Sequence, residues 1–342
     1  MSNTHDAMLW EPLDEQKVRC HLCGHECTIA AGKYGICRVR QNVAGTLKTH
    51  NYGPLVALST DPIEKKPLFH FLPGTLSLSI AAAGCNFQCE FCQNWQISQA
   101  PRLGDRLGGR AVSPEQIVTA AQSYDCPSIS YTYTEPTVFF ELAYDTARLA
   151  HERGIMNCFV SNGFLTPEAV EKIAPHLDGI NVDLKAFSDE TYRRVMKARL
   201  QPVLTCLKAL VAAGIWVEVT TLIVPGMNDS REELGEVARF IAGELSPAVP
   251  WHVTRFHGDY RMTSTPSTPL STLEGACKLG LDAGLRFVYC GNVAGMADES
   301  TYCPKCRTKL IDRAGYSIRG VHLDRGACPS CGEQIEGVWS GR

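Results

Sequence analysis

Between about residues 76 and 290, short apolar runs alternate with amphipathic segments. The runs LSLSIAAAG (76–84), PSISYTYT (127–134), NCFVS (157–161), DGINVDL (178–184), WVEVTTLIV (216–224), WHVTRF (251–256) and LRFVYC (285–290) predict strands. Most are rich in Val, Ile, Tyr or Thr and are bounded by turn residues. The helices between them carry start signals. Ser113, Pro114 and Gln116 predict an N-cap with a capping box, as do Ser230 with Glu233 and Ser271 with Glu274; Thr166 before Pro167 is the simpler signal. Six strand–helix units in succession predict an α/β fold with a parallel sheet and helical crossovers. A doubly wound open sheet is the alternative. The segment AAAGCNFQC after the first strand has cysteines where a dinucleotide phosphate loop needs glycines. That favours a partial (β/α)6 barrel of TIM type, whose strand C-terminal ends gather on one rim where loops can build a site.

Composition sets the class. The chain has 342 residues, 44% hydrophobic and 20% charged, enough apolar content for a sizeable core. A net charge of −3 argues against a nucleic-acid coat. No apolar run approaches the ~18 residues of a membrane helix. The N-terminus carries acids and lacks a basic-then-apolar signal pattern, which predicts a cytoplasmic protein.

The 16 cysteines change the picture most. In a reduced compartment, clustered thiols point to metal before disulfide. Three groups stand out: Cys20, Cys23, Cys27 and Cys37; Cys85, Cys89 and Cys92; and Cys303, Cys306, Cys328 and Cys331. Cys126, Cys158, Cys206, Cys277 and Cys290 lie singly in apolar surroundings and read as small core residues. The groups divide the chain into an N-terminal cysteine-rich extension (1–75), the α/β core (76–294) and a C-terminal module (295–342). Residues 257–272 form a Ser/Thr/Pro-rich loop where a substrate-facing loop would sit.

Cys85-x3-Cys89-x2-Cys92 follows directly on the first strand. Three thiolates on a short loop can hold three irons of a 4Fe–4S cluster and leave the fourth open, as a catalytic site requires. A zinc ion borrowing a fourth ligand is the plainer alternative. At later strand ends, Asp183 and Lys185 are two apart and share a face, which suits a zwitterionic ligand or a simple rim ion pair. Glu135 before Pro136 can be a helix-start acid, and Asn162 before Gly163 a turn residue. Lys65, Lys66 and His70, in a charged segment before the first strand, either line the barrel mouth to meet an anion or belong to a solvated loop.

The C-terminal cysteines form two C-x2-C knuckles at zinc-ribbon spacing, which predicts a closed tetrahedral site for zinc or a rubredoxin-like iron. Arg307, Lys309, Arg313, Arg319 and Arg325 there are either a docking surface or a solvated face. The N-terminal four predict a metal site that can hold zinc or an auxiliary iron–sulfur cluster. His25 is a candidate substitute ligand, although it reads more simply as a surface histidine.

The Cys85–Cys92 loop at the end of a first barrel strand resembles that of the radical S-adenosylmethionine superfamily. Across Cys20 to Trp339 the pattern is similar to the AmmeMemoRadiSam-system radical S-adenosylmethionine enzymes, relatives of the pyruvate formate-lyase-activating enzymes. It comprises CHLCGHECTIAAGKYGICRVRQN, NYGPLVALSTDPIEKKPLFHFLPG, GCNFQCEFCQNWQIS and the two knuckles. The resemblance implies a 4Fe–4S cluster on Cys85, Cys89 and Cys92. It implies reductive cleavage of S-adenosylmethionine to a 5′-deoxyadenosyl radical that takes hydrogen from a substrate the family name does not supply. It further implies that Phe91 packs near the adenine and that Glu135, Asn162, Asp183 and Lys185 contact S-adenosylmethionine. At 133–134 Tyr and Thr replace the two glycines of the family's GGEP-like segment, which leaves a side chain or the backbone as the contact to the methionine amine. Residues 224–229 resemble the activases' V-P-G-x-N-D turn. Flavodoxin or ferredoxin is the implied electron donor, with Memo-like and AMMECR1-like proteins as partners. Activation of a glycyl-radical enzyme is the alternative within this chemistry, and a zinc-binding RNA or protein adaptor the alternative outside it.

Overall fold

In the computed structural model, residues 4–104, 108–291 and 299–341 are described. All seven expected strands are present: β2 (Leu76–Ala82), β3 (Ser128–Tyr131), β4 (Met156–Ser161), β5 (Gly179–Asp183), β6 (Trp216–Ile223), β7 (Trp251–Arg255) and β8 (Val288–Gly291). The helices α1 (Pro114–Ser123), α2 (Phe140–Glu152), α3 (Pro167–Ile173), α4 (Leu200–Ala212), α5 (Arg231–Phe240) and α6 (Leu270–Asp282) fall between successive pairs. Each strand from β2 to β8 pairs in parallel with the next in sequence. A doubly wound sheet would reverse its order at a switch point, and this one does not.

A strand the apolar pattern did not reveal, β1 (Pro54–Pro62), pairs antiparallel with β2 and lies between β2 and the short edge strand Arg110–Ala111. Pro54 and Leu55 are buried, Leu58 to Thr60 are exposed and Asp61 is buried again, so it lacks a two-residue rhythm. The 75/76 boundary falls immediately before β2, and the 294/295 boundary lies outside the described residues.

The two faces of the sheet differ. Ile180, Val182, Val217, Val219, Trp251 and Val253 are buried in the main hydrophobic core. The alternate positions Asn181, Glu218 and His252 point the other way, as the strand pleat requires, and are buried too. Residues 63–72 cover them. Asn181 Nδ2 donates to Pro67 O (2.7 Å), and Glu218 accepts from the Phe69 and His70 amides at 3.0 and 2.8 Å. Lys66 is 1% exposed and bonds Asp61, while His70 is fully buried against Tyr289 and the Glu336 carbonyl. The segment is therefore a plug across the polar face, and neither a solvated loop nor, at His70, part of a mouth.

The C-terminal hairpin, β9 (Lys309–Ala314) and β10 (Ser317–Val321), closes over the plug. Arg313 is 4% exposed, donates to Phe69 O at 2.5 Å and stacks its guanidinium 4.4 Å from the Phe69 ring centroid, so it belongs to neither a docking surface nor a solvated face. Lys309 pairs with Asp312 at 3.1 Å. At the other end, the N-terminal piece meets the end of β4 through a bridge between Cys23 and Leu165 and a Thr166 Oγ1 bond to His21 O (2.6 Å).

The capping expectations divide. Ser113 and Gln116 form the full box on α1, and Thr166 caps α3. Ser230 caps α5, but the Glu233 carboxylate accepts from Phe187 N (2.7 Å) and does not return to the cap. Ser271 lies inside α6, which starts at Leu270 with no side-chain cap. Cys126, Cys158 and Cys206 are buried singly, whereas Cys277 on α6 and Cys290 on β8 are joined as a disulfide, a tertiary pairing that single apolar surroundings did not reveal.

Candidate active site

The C-terminal ends of β2 to β7 open into a cavity of about 520 Å³. Its wall includes Cys85, Cys89 and Cys92 from the loop after β2, with Phe91 among them, Glu135 after β3, Asn162 after β4, and Asp183 and Lys185 at the end of β5. The tertiary structure thus gathers residues spread over a hundred positions onto one rim, because parallel strands all end on the same side.

Burial pushes the Cys89 thiol up to about 12 and holds Cys85 well above the usual thiol value. Such thiols give up their protons at neutral pH to a bound metal. Asn162 Nδ2 sits 3.7 Å from Cys85 Sγ and bonds Asn86 Oδ1 at 2.7 Å. The amide nitrogen of Asn86, Nδ2, is buried with no partner within the protein, as is Thr220 Oγ1 on the cavity wall. Two stranded polar atoms, three thiols and a volume in the range of small-molecule sites fit a bound polar group and a metal cluster.

Lys185 Nζ and Asp183 Oδ2 are 2.8 Å apart. Burial works against the lysine's charge, but the Asp183 carboxylate and the Cys89 thiol outweigh it and hold Lys185 protonated. Its ammonium also lies 5.9 Å from the Phe91 ring centroid. Both members of the pair remain partly accessible, Lys185 at 16% and Asp183 at 35% of the side chain, so each can meet a ligand while holding the other.

Glu135 is differently committed. One oxygen accepts from Thr137 N (3.1 Å), Thr137 Oγ1 (2.6 Å) and Ser161 Oγ (2.8 Å), and the other from Asn162 N (2.8 Å). The carboxylate caps the short helix Pro136–Phe139 and ties the end of β3 to the end of β4. Burial raises its pKa while these donors oppose the rise. Upstream, Tyr133 takes a left-handed backbone (φ 62°), a conformation natural to the glycine it replaces in the pattern.

Several wall residues escaped the sequence reading. Thr220, Leu222 and Thr254 face the cavity; the alternation along β6 and β7 was the available signal. Tyr316, from the β9–β10 turn, reaches the wall with no sequence signal at all. Lys65 and Lys66 do line the cavity, but Asp61 pairs with both (2.8 and 2.7 Å). The Ser/Thr/Pro-rich loop braces the outside of the cysteine loop: Arg261 N donates to Glu90 O (3.0 Å), and Tyr260 stacks on Trp95 at 5.0 Å.

The other two cysteine groups stand apart. The sulphurs of Cys303, Cys306, Cys328 and Cys331 all lie within 4.8 Å of one another, and Cys303–Cys331 and Cys306–Cys328 are each 3.6 Å apart. Cys20, Cys23, Cys27 and Cys37 line a separate small cavity. His25 is a contact rather than a free surface residue: its ring bonds Asn86 O (2.9 Å) and packs edge-on to Phe164.

A family model described as the Radical SAM superfamily matches residues 79–241. An uncharacterized protein of Methanocaldococcus jannaschii is 46% identical over 333 residues, which cover 97% of this chain and 98% of that protein. The pyruvate formate-lyase-activating enzyme of Clostridium pasteurianum is 24% identical over 179 residues, covering 49% of this chain and 72% of that one. Among solved structures, a radical SAM methyltransferase from Sphaerobacter thermophilus superposes with a TM-score of 0.51 at 16% identity, covering 65% of this chain and 67% of the other, a likeness of fold alone.

Proposed function

The chain belongs to the radical SAM superfamily, and from that premise we propose that it is an enzyme holding a site-differentiated 4Fe–4S cluster on Cys85, Cys89 and Cys92, with S-adenosylmethionine beside it. The observation that carries this is the convergence of those three thiols with the Asp183–Lys185 pair on one cavity at the strand ends. When bound, the cluster and S-adenosylmethionine supply reductive cleavage to methionine and a 5′-deoxyadenosyl radical able to take hydrogen from a substrate.

The protein's part is to bind and orient. Three thiolates leave one cluster position without a protein ligand. Lys185 and Asp183 offer opposite charges to a zwitterion, and Phe91 offers an apolar surface to the adenine. Glu135 and Asn162 fix the rim by holding the β3 and β4 ends together and pinning Asn86 beside Cys85. Curvature of the sequentially ordered sheet into a partial barrel would enclose this site. The converged C-terminal sulphurs fit one tetrahedral ion, for which zinc is the natural choice.

Anaerobic reconstitution followed by dithionite and S-adenosylmethionine should yield 5′-deoxyadenosine and methionine, with Cys89→Ala forming neither. Cluster-replete protein that forms no 5′-deoxyadenosine, where a control enzyme does, overturns the proposal. Similarity to a pyruvate formate-lyase-activating enzyme supports a second reading, activation of a glycyl-radical enzyme; a glycyl doublet in a partner protein's paramagnetic resonance spectrum would decide for it. Flavodoxin or ferredoxin would serve as donor, and Memo-like or AMMECR1-like proteins would be partners.

A further inference from the structure

The two outer cysteine quartets differ in spacing, C-x2-C-x21-C-x2-C against C-x2-C-x3-C-x9-C, and their sulphurs are arranged differently. A tetrahedral zinc with Zn–S bonds of about 2.3 Å draws its four sulphurs to roughly 3.8 Å from one another and leaves no room between them. The C-terminal quartet has that compactness, with two pairs at 3.6 Å and all four sulphurs within 4.8 Å. Among the described residues it is the only cysteine group that does. Neither the N-terminal quartet nor the central triplet forms such a compact group among the described residues. On a cubic cluster each thiolate takes a different iron, so the sulphurs sit at cube corners about 6 Å apart.

The space between the N-terminal thiols agrees. All four line one cavity of about 20 Å³, whose other walls include Leu22, Ile29 and Val138. A zinc tetrahedron would admit no such opening. Arg40, 2% exposed, reaches this wall and donates from Nη1 to Cys20 Sγ at 3.3 Å, while its other nitrogen pairs with the buried Glu141. A buried donor on a thiolate sulphur in an otherwise apolar pocket suits a cluster whose ligands together carry excess negative charge.

We propose that Cys20, Cys23, Cys27 and Cys37 hold a second polynuclear iron–sulfur cluster, and that only the C-terminal quartet holds zinc. Four thiolates occupy all four irons, so this cluster has no open position and cannot bind S-adenosylmethionine as the central one would. It sits beside the central loop and is tied to it twice. His25, between Cys23 and Cys27, bonds Asn86 O at 2.9 Å. Arg102 bridges Ile36 O and Phe87 O at 3.0 and 3.2 Å, joining the neighbour of Cys37 to the loop carrying Cys85 and Cys89. The inference does not depend on the central site's chemistry.

The test measures iron, acid-labile sulfide and zinc per chain after anaerobic reconstitution. The full chain should hold about eight irons, about eight sulfides and one zinc, given about four irons per cubic cluster. The Cys85→Ala/Cys89→Ala/Cys92→Ala variant should keep about four irons with equal sulfide, and a reduced-cluster paramagnetic resonance signal. Adding Cys23→Ala and Cys27→Ala should remove that remainder while the zinc stays. Two zincs per chain, iron without sulfide, or no metal beyond one zinc in the triple variant would each overturn the proposal. Should the triple variant fail to fold, the full chain decides: about four irons with two zincs overturns it, and about eight irons upholds it. Failure of S-adenosylmethionine cleavage leaves these counts unaffected, so the two readings fail separately.

Discussion

At Glu135 four donors converge on one buried carboxylate, so its first task is to hold the rim together. Glu135→Gln puts an amide nitrogen where only acceptors fit and should cost about 1–3 kcal/mol in chemical denaturation, the penalty of stranded buried donors. S-adenosylmethionine affinity, measured on protein that remains folded, should suffer less than in Lys185→Met. A larger affinity loss in Glu135→Gln would make Glu135 a direct ligand contact. His70 sets a pH dependence of its own. Burial lowers its pKa to about 4, against an ordinary value of 6.5. A histidine depressed in the folded state stabilises fully above the unfolded value, and that stability is lost as pH falls from about 6.5 towards 4. The most this can amount to is about 3 kcal/mol. The partner Glu218 is also held below its ordinary value, mainly by His252 against the effect of burial, so its loss begins lower, below about 4.5. Denaturation midpoints of His70→Gln should therefore fall less between pH 6.5 and 4.5 than those of the parent chain.

Among the elements, helix starts show how far local chemistry reaches. Ser113 performs its predicted duty because its cap bonds lie within four residues. Ser271 does not, because the Pro269 backbone already occupies the N-cap of α6 two residues earlier. Ser113→Ala should lose about 1 kcal/mol of stability, and Ser271→Ala should be neutral to within about 0.5 kcal/mol, read from denaturation midpoints. Equal effects would mean that the cap geometry on α1 contributes nothing. Glu233 lies between these cases: its cap partner was legible, but a distant amide at Phe187 took its carboxylate.

For the molecule as a whole, the C-terminal quartet is fastened to the sheet and is no detachable tail. Val338 N donates to His70 O and Leu72 N to Val338 O, each at 2.7 Å, while Arg313, Phe69, His70 and Tyr289 form a buried polar–aromatic seam. If the quartet holds the proposed metal, removing it with Cys306→Ala should loosen the plug as well as the C-terminal hairpin, since binding free energy at such a site is folding free energy. The expected result is a lowered melting temperature for the whole chain, with limited proteolysis cutting in 61–72 as well as after 299. Selective loss of the C-terminal piece, with the remaining core melting as before, would show that the seam transmits nothing.

The sequence by itself determined the seven parallel strands, their helical crossovers and the three cysteine groups. Apolar periodicity and thiol spacing are local, and they survive without knowledge of the partners. It also carried Asp183 and Lys185 to one face, because a strand alternates by two wherever it packs. Tertiary structure alone decided what Glu135 bonds, that residues 63–72 plug the polar face of the sheet, that Arg313 is buried, and that Tyr316 reaches the cavity. Each of these rests on contacts between segments tens to hundreds of residues apart, where a polar side chain's partner is chosen by proximity after folding. The same holds for the outer cysteines: spacing along the chain left the N-terminal quartet open between zinc and a cluster, and only the folded chain shows the C-terminal sulphurs packed together while the N-terminal ones line a cavity.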